Sequence, residues 1–187
     1  KPNEIIKFAF IGRLLRDKGI FEYIQAAELI LKKYQGKCKF YVLGELYKEN
    51  PTAVTKQQLN KWIDEKIIIY LEKTDFVEEK MKNFDCIVLP SYREGLSKVL
   101  LEASAMGIPS ITTNVPGCKH VVDNFKNGFI CNVKDVNDLS KNIESFMFLS
   151  EEEKKQMSQF AREKAIKEFD ENIVIDNYVK AIHSIKL

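Results

Sequence analysis

Two glutamates, Glu94 and Glu102, stand with seven residues between them in the segment Glu94-Gly95-Leu96-Ser97-Lys98-Val99-Leu100-Leu101-Glu102. Glu94 lies on a glycine-containing turn that follows an apolar, strand-like run. Glu102 falls inside an apolar, small-residue helical pattern that includes Val99, Leu100, Leu101, Ala103, Ala105 and Met106. That pattern predicts a buried helix, where a carboxylate is costly unless a donor meets it. A ribose diol would supply two hydroxyl donors. A salt bridge, for instance to Arg13, would serve structurally. Gly95-Leu96-Ser97 would open the helix and present backbone N–H groups, an arrangement suited to phosphate.

Cations occur on another turn of the same kind. Gly12-Arg13-Leu14 and Lys18-Gly19 follow the first apolar run, and Arg13 and Lys18 are five positions apart. Arginine grips phosphate oxygens bidentately and lysine offers a compact charge, so the pair suits a diphosphate. The same residues also read as ordinary solvated loop charge, with Arg16 and Asp17 beside them. His120 and His183 are the only histidines. His183 reads as a surface residue. His120 follows a glycine-containing loop and reads as structural or as part of the ligand edge. The chain has no Ser/His/Asp spacing, no metal-ligand spacing, no phosphate-loop motif and no G-x-G-x-x-G.

The elements that must position these groups alternate along the chain. Strands are predicted over residues 5–11, 38–43, 66–71, 85–90, 110–113 and 128–133. Helices are predicted over about residues 19–34, 53–65 and 76–83, from Gly95 to Gly107, and at about 135–149, 151–168 and 170–186. A short helix is predicted to begin at His120-Val121-Val122. Strands apolar on both faces and alternating with helices specify a parallel sheet covered on both sides. The predicted fold class is a Rossmann-like, doubly wound α/β domain of about six strands. Ligands in such folds bind beyond the carboxyl ends of the strands, where the turns after the first, second and fourth strands open.

The 187 residues include 29 basic and 27 acidic side chains, a formal charge of +2. This balance argues against a dedicated nucleic-acid binder. Four cysteines without C-x-x-C or zinc spacing point to a reduced, cytosolic compartment. No apolar run is long enough to span a bilayer, and no signal-peptide pattern is present. The chain lacks an initiator methionine and reads as a piece of a longer protein.

Several segments together resemble the C-terminal, donor-binding domain of a family 4 glycosyltransferase with the GT-B fold. They are Phe10-Ile11-Gly12-Arg13-Leu14, Lys18-Gly19, Asp85 with Leu89-Pro90-Ser91, Glu94-Gly95, Glu102-Ala103 and Gly107-Ile108-Pro109. Val115-Pro116-Gly117-Cys118 and Asn127-Gly128-Phe129 match as well, so the resemblance covers nearly the whole chain in order. It implies a retaining transferase that takes a nucleotide-diphosphate sugar, UDP-linked, and needs no metal. Catalysis would fall to Glu94, Arg13 and Lys18. The donor site would comprise Gly12, Arg13 and Lys18, then Lys73, Thr74, Phe76 and Val77 against the nucleobase. It would continue through Glu94, Gly95, Leu96, Ser97, Lys98 and Val99 at the sugar and phosphates, and end at Glu102 on the ribose.

The acceptor, a glycan or a lipid-linked glycan, would enter through an N-terminal domain. Residues 1–169 would then form the nucleotide-sugar domain. Residues 170–187 would form a terminal helix whose stripe of Ile173, Val174, Tyr178, Ile182 and Ile185 packs on that N-terminal domain or drives self-association. The isolated piece is expected to be nearly inactive, and the full protein to be cytoplasmic with peripheral association at the inner membrane face. A sugar-nucleotide epimerase of similar fold and a non-catalytic nucleotide-binding module are the competing readings. Two departures stand out. Leu96-Ser97 replace the family's usual Phe-Gly after the first glutamate and glycine, and His120 stands in a segment where a glutamate is common.

Overall fold

The structure is a computed structural model that describes residues 5–184 apart from Lys48, and omits the side chains of Val174 and Asn177. Its strands are β1 (Ile6–Ile11), β2 (Cys38–Gly44), β3 (Ile69–Glu72), β4 (Cys86–Leu89), β5 (Ser110–Thr113) and β6 (Gly128–Cys131). Its helices are α1 (Ile20–Lys33), α2 (Lys56–Asp64), α3 (Val77–Met81), α4 (Lys98–Ala105), α5 (Pro116–Lys119), α6 (Val136–Met147), α7 (Glu151–Phe169) and α8 (Glu171–Ser184). The strands form one sheet in the order β3-β2-β1-β4-β5-β6, and every neighbouring pair is parallel. The strand order reverses between β1 and β4, which opens a crevice at their carboxyl ends. The turns carrying Arg13, Lys18 and Glu94 leave the sheet there.

Helices cover both faces, because right-handed crossovers running in opposite directions along a sheet fall on opposite sides. Helices α1 and α6 pack together on one face, and α4 and α7 pack together on the other. Strand β4 is therefore buried along its whole length, which explains its unbroken apolar run. On the α1/α6 side, Phe8 stacks on Phe40 at 5.3 Å between centroids and meets Phe146 edge-on at 5.7 Å. Tyr23 is fully buried there. Its hydroxyl reaches the carbonyls of Phe8 (3.1 Å) and Tyr41 (2.8 Å), so burial leaves no polar atom orphaned. Burial also raises the Tyr23 pKa well above its ordinary value, and the group stays a neutral donor.

Gly19 shows how the sequence builds the crevice. It adopts φ +77°, and an added Cβ would lie 2.0 Å from the Pro90 carbonyl oxygen. Only glycine lets the first turn approach the end of β4 this closely. Ser97 caps α4 by accepting from the Leu100 N–H, as its place ahead of an apolar run indicates.

Some predicted boundaries move. The short helix expected at His120 lies one turn earlier, because Pro116 at its first position has a φ already suited to a helix start. The strand expected at residues 66–71 begins at Ile69: the N–H groups of Ile67 and Ile68 turn back to the Trp62 carbonyl rather than to a neighbouring strand. The helix expected from residue 53 starts at Lys56, where Thr55 and Gln58 form a capping box. The strand expected to end at residue 133 ends at Cys131.

All four cysteines are free and buried. Burial pushes the Cys38 thiol up to about 11 and the Cys131 thiol up to about 12, so both are inert as nucleophiles near neutral pH. Among the described residues, no helix is long and apolar enough to cross a membrane.

Candidate active site

The turn after β1 and the turn after β4 meet directly. Lys18 Nζ donates to Glu94 Oε1 at 2.7 Å, with the two side chains only 21% and 10% exposed. The residues are 76 positions apart, so only the sheet's strand order brings them together. Partial burial strengthens the pair relative to a surface ion pair and holds Glu94 in one orientation. The ammonium has three donors and Glu94 takes one, which leaves capacity for an incoming anion.

Next to this pair, the turn into α4 exposes a run of donors. Among the described residues, the backbone N–H groups of Gly95, Leu96, Ser97, Lys98 and Val99 meet no backbone or side-chain acceptor. The first N–H groups of a helix have no intrahelical partner, and here the run extends back into the turn. Five such donors at the positive end of α4 are an arrangement suited to an anion. Gly95 has open space at its Cα, so a ligand can approach the backbone closely.

The same edge holds a cleft of about 260 Å³ between the ends of β1 and β2, the α3 turn and α4. Gly12, Arg13, Lys73, Thr74, Val77, Lys98, Val99 and Glu102 line it, as do Ile11, Leu43, Gly44 and Glu45. Eight of the residues singled out in the sequence therefore converge on one cavity. Lys18, Glu94, Gly95 and Ser97 lie in the neighbouring turns. Two do not point into the cleft: Phe76 is 66% exposed and Leu96 is 51% exposed, and neither lines the wall. The aromatic ring expected against a nucleobase is thus turned away from the cavity in this conformation.

Glu102 differs from its expected surroundings. Its helix is not buried all round, its side chain is 38% exposed, and its partner is Lys98 one turn away at 3.4 Å rather than Arg13. Only Leu100, Ala103 and Ser104 of this helix are buried, while Glu102 shares with Val99 the side turned to the cleft. Arg13 is exposed, and its guanidinium lies 5.6 Å from the centroid of the Tyr47 ring. Glu45 pairs with Lys73 at 3.1 Å across the mouth. The sequence reading missed both Tyr47 and Glu45. The only available signal was their position on the polar stretch after Gly44, where the second strand was expected to open on the ligand edge.

His120 is exposed with its ring edge-on to Phe169 at 5.6 Å between centroids, and His183 is exposed. Gly117 packs under the Glu94-Gly95 turn, since an added Cβ would lie 2.0 Å from the Gly95 carbonyl oxygen. Among the described residues of α8, Ile175, Tyr178, Val179 and Ile182 are exposed. Ile185 and the side chain of Val174 lie outside the described part.

Comparison with known proteins is consistent with this geometry. A relative from Campylobacter jejuni, N,N'-diacetylbacillosaminyl-diphospho-undecaprenol alpha-1,3-N-acetylgalactosaminyltransferase, is 30% identical over 91% of this chain and 42% of its own length. The capsular polysaccharide biosynthesis glycosyltransferase CapM of Staphylococcus aureus is 30% identical over 78% of this chain and 37% of its own. The chain thus spans less than half the length of these curated relatives. Among solved structures, Anabaena HepE in complex with UDP superimposes with a TM-score of 0.85 at 18% identity, over 97% of this chain and 49% of that one. Sucrose-phosphate synthase from Thermosynechococcus elongatus gives 0.81 at 18% identity, over 100% and 47%. At that identity the superpositions speak for the fold, which is the Rossmann-like domain of GT-B enzymes. The sequence profile described as "Glycosyl transferases group 1" matches residues 1–164, and the chain belongs to that family.

Proposed function

We propose that this chain is the donor-binding domain of a retaining hexosyltransferase that takes a UDP-sugar and delivers the sugar to a glycan or lipid-linked acceptor. The observation that carries this reading is the run of unpaired N–H groups from Gly95 to Val99, placed between the Lys18–Glu94 pair and the cleft. The donor diphosphate lies on those amides, with Arg13 and Lys18 neutralising its charge. The nucleoside extends into the 260 Å³ cleft, where Glu102 accepts from the ribose diol and the wall from Lys73 to Val77 covers the base. Glu94, held by Lys18, faces the sugar hydroxyls.

Transfer breaks the bond between the anomeric carbon and the phosphate oxygen, forms a bond from that carbon to an acceptor hydroxyl on the same face, and passes the hydroxyl proton to the departing diphosphate. Negative charge then grows on the leaving diphosphate, where fixed amides and the Arg13/Lys18 cations stabilise it without needing to reorganise. No metal is required in this scheme. The UDP in the HepE complex supports the choice of base, and the undecaprenol-linked substrate in the Campylobacter relative's name supports a lipid-linked acceptor. A companion N-terminal domain supplies the acceptor site, and the exposed stripe Ile175, Tyr178, Val179 and Ile182 on α8 is the surface that packs on it. The chain alone is then nearly inactive, and the full protein works at the cytoplasmic face of the membrane.

Calorimetry of the chain with UDP, GDP and ADP tests the donor assignment. UDP is expected to bind, and more tightly than the other two. Arg13→Ala and Lys18→Ala should each weaken UDP by about tenfold, in line with the loss of one charge-assisted contact. Unchanged affinity in both variants would return these cations to plain surface charge. An epimerase would instead interconvert UDP-sugars without an acceptor, and a binding module would turn over nothing.

A further inference from the structure

The contacts that hold the two catalytic turns together centre on Tyr92, a residue outside the donor site just described. Its backbone N–H donates to the Asp17 carbonyl at 2.8 Å, and the hydroxyl of neighbouring Ser91 reaches the same carbonyl at 3.0 Å. Its ring hydroxyl donates to Glu22 Oε1 at 2.6 Å, a short, charge-assisted bond. Glu22 sits in the first turn of α1, where the helix dipole favours a carboxylate. Lys134 Nζ lies 4.8 Å from the centre of the Tyr92 ring, so the ring is held on its face as well as at its tip. Burial, with the Glu22 hydrogen bond second, raises the pKa of the Tyr92 hydroxyl and keeps it a neutral donor.

These contacts bracket the catalytic pair in sequence. Asp17 immediately precedes Lys18, and Tyr92 lies two residues before Glu94. Glu22 lies four residues past Lys18, across the tight Gly19 turn. The Tyr92 side chain therefore joins the start of α1 to the turn after β4, while its backbone fixes the residue next to Lys18. Without the side-chain link, the polar contacts that remain between the two turns among the described residues are the Tyr92–Asp17 backbone bond, the Ser91 hydroxyl, the exposed Arg93–Asp17 pair at 3.4 Å, and the Lys18–Glu94 pair itself.

We propose that Tyr92 is a positioning residue, which through its hydroxyl bond to Glu22 sets the Lys18–Glu94 pair in register for sugar transfer; this rests on the glycosyltransferase reading above. Tyr92 touches neither donor nor acceptor. It acts by keeping Glu94 from drifting, and a drift of about 1 Å at a reacting centre is costly. Its loss therefore falls on the chemical step rather than on donor affinity.

The test is steady-state kinetics of the full-length transferase with its nucleotide sugar. Tyr92→Phe removes only the hydroxyl, and is expected to lower kcat about tenfold while KM for the donor stays within about twofold. Glu22→Gln keeps an acceptor oxygen and should retain most of the activity. Glu22→Leu should reproduce the Tyr92→Phe loss, and the double variant should be no worse than either single one, because both remove the same bond. Melting temperatures report whether each variant is folded. If kcat per folded molecule is unchanged in Tyr92→Phe while Glu94→Ala is inactive, the positioning role is overturned and the transferase reading stands. A wild-type protein that transfers sugar from no nucleotide donor would overturn both.

Discussion

Glu94→Gln in the full-length protein is expected to lower kcat by about 100-fold or more while leaving the fold intact. Glutamine has nearly the same shape and keeps an oxygen for Lys18, so the 2.7 Å contact survives in weaker form. What disappears is the negative charge, at a position 10% exposed and one residue from the unpaired amides. A carboxylate beside the sugar stabilises the positive charge that grows at the anomeric carbon as its bond to phosphate breaks, and removing one such group from a preorganised site costs about 10²–10³ in rate. The structural cost is smaller. Lys18 stays 21% exposed and keeps the glutamine oxygen as an acceptor, so the ammonium is not left without a partner. The measurement is turnover at saturating donor, alongside a thermal melt. Near-normal turnover would remove Glu94 from the reaction and leave it as the partner that orders Lys18.

Gly117→Ala should disable the site from behind. The added methyl would lie 2.0 Å from the Gly95 carbonyl oxygen and 2.5 Å from that of Glu94. These are backbone atoms and cannot rotate away as a side chain would. On the other side, Pro116 holds the start of α5, and Cys118 beside it is fully buried. The relief must come from the Glu94-Gly95 turn, which has to shift by about 1 Å, enough to lower the rate by about 100-fold. Overpacking of this kind also costs about 1–3 kcal/mol of stability. The expected signature is thus a moderate fall in melting temperature together with a much larger fall in kcat/KM. Activity that drops only in proportion to the unfolded fraction would show that the turn yields without consequence.

Most of the architecture could be read from local pattern, because each strand and helix carries its own periodicity. The parallel sheet follows from strands such as β4, apolar on every residue, set between amphipathic helices. The place of the candidate site follows from the same pattern, since ligands in such sheets bind where the strand order turns. Boundaries slipped where local chemistry overrode propensity. Ile67 and Ile68 look like strand, yet their N–H groups belong to the end of α2, and Pro116 starts a helix that the apolar pair Val121-Val122 seemed to announce.

The pairings within the site were harder to see. Lys18 and Glu94 were assigned separately to phosphate and to sugar, and nothing in their spacing indicates that they touch. Tyr47 beside Arg13 and Tyr92 on Glu22 are hidden in the same way, as contacts between loops far apart in sequence. Glu102 shows the converse error. Its buried neighbours Leu100 and Ala103 describe one side of α4, and say little about the side that Glu102 shares with Val99.

In the proposed site a diphosphate rests on the backbone amides opening α4. Amide spectra of the 15N-labelled chain during a UDP titration test it most directly, because each N–H in the run is observed singly. Saturating UDP should move the resonances of Gly95, Leu96, Ser97, Lys98 and Val99 more than those of any other segment, with Gly12 and Arg13 next. A titration that saturates while these five stay in place would contradict the claim.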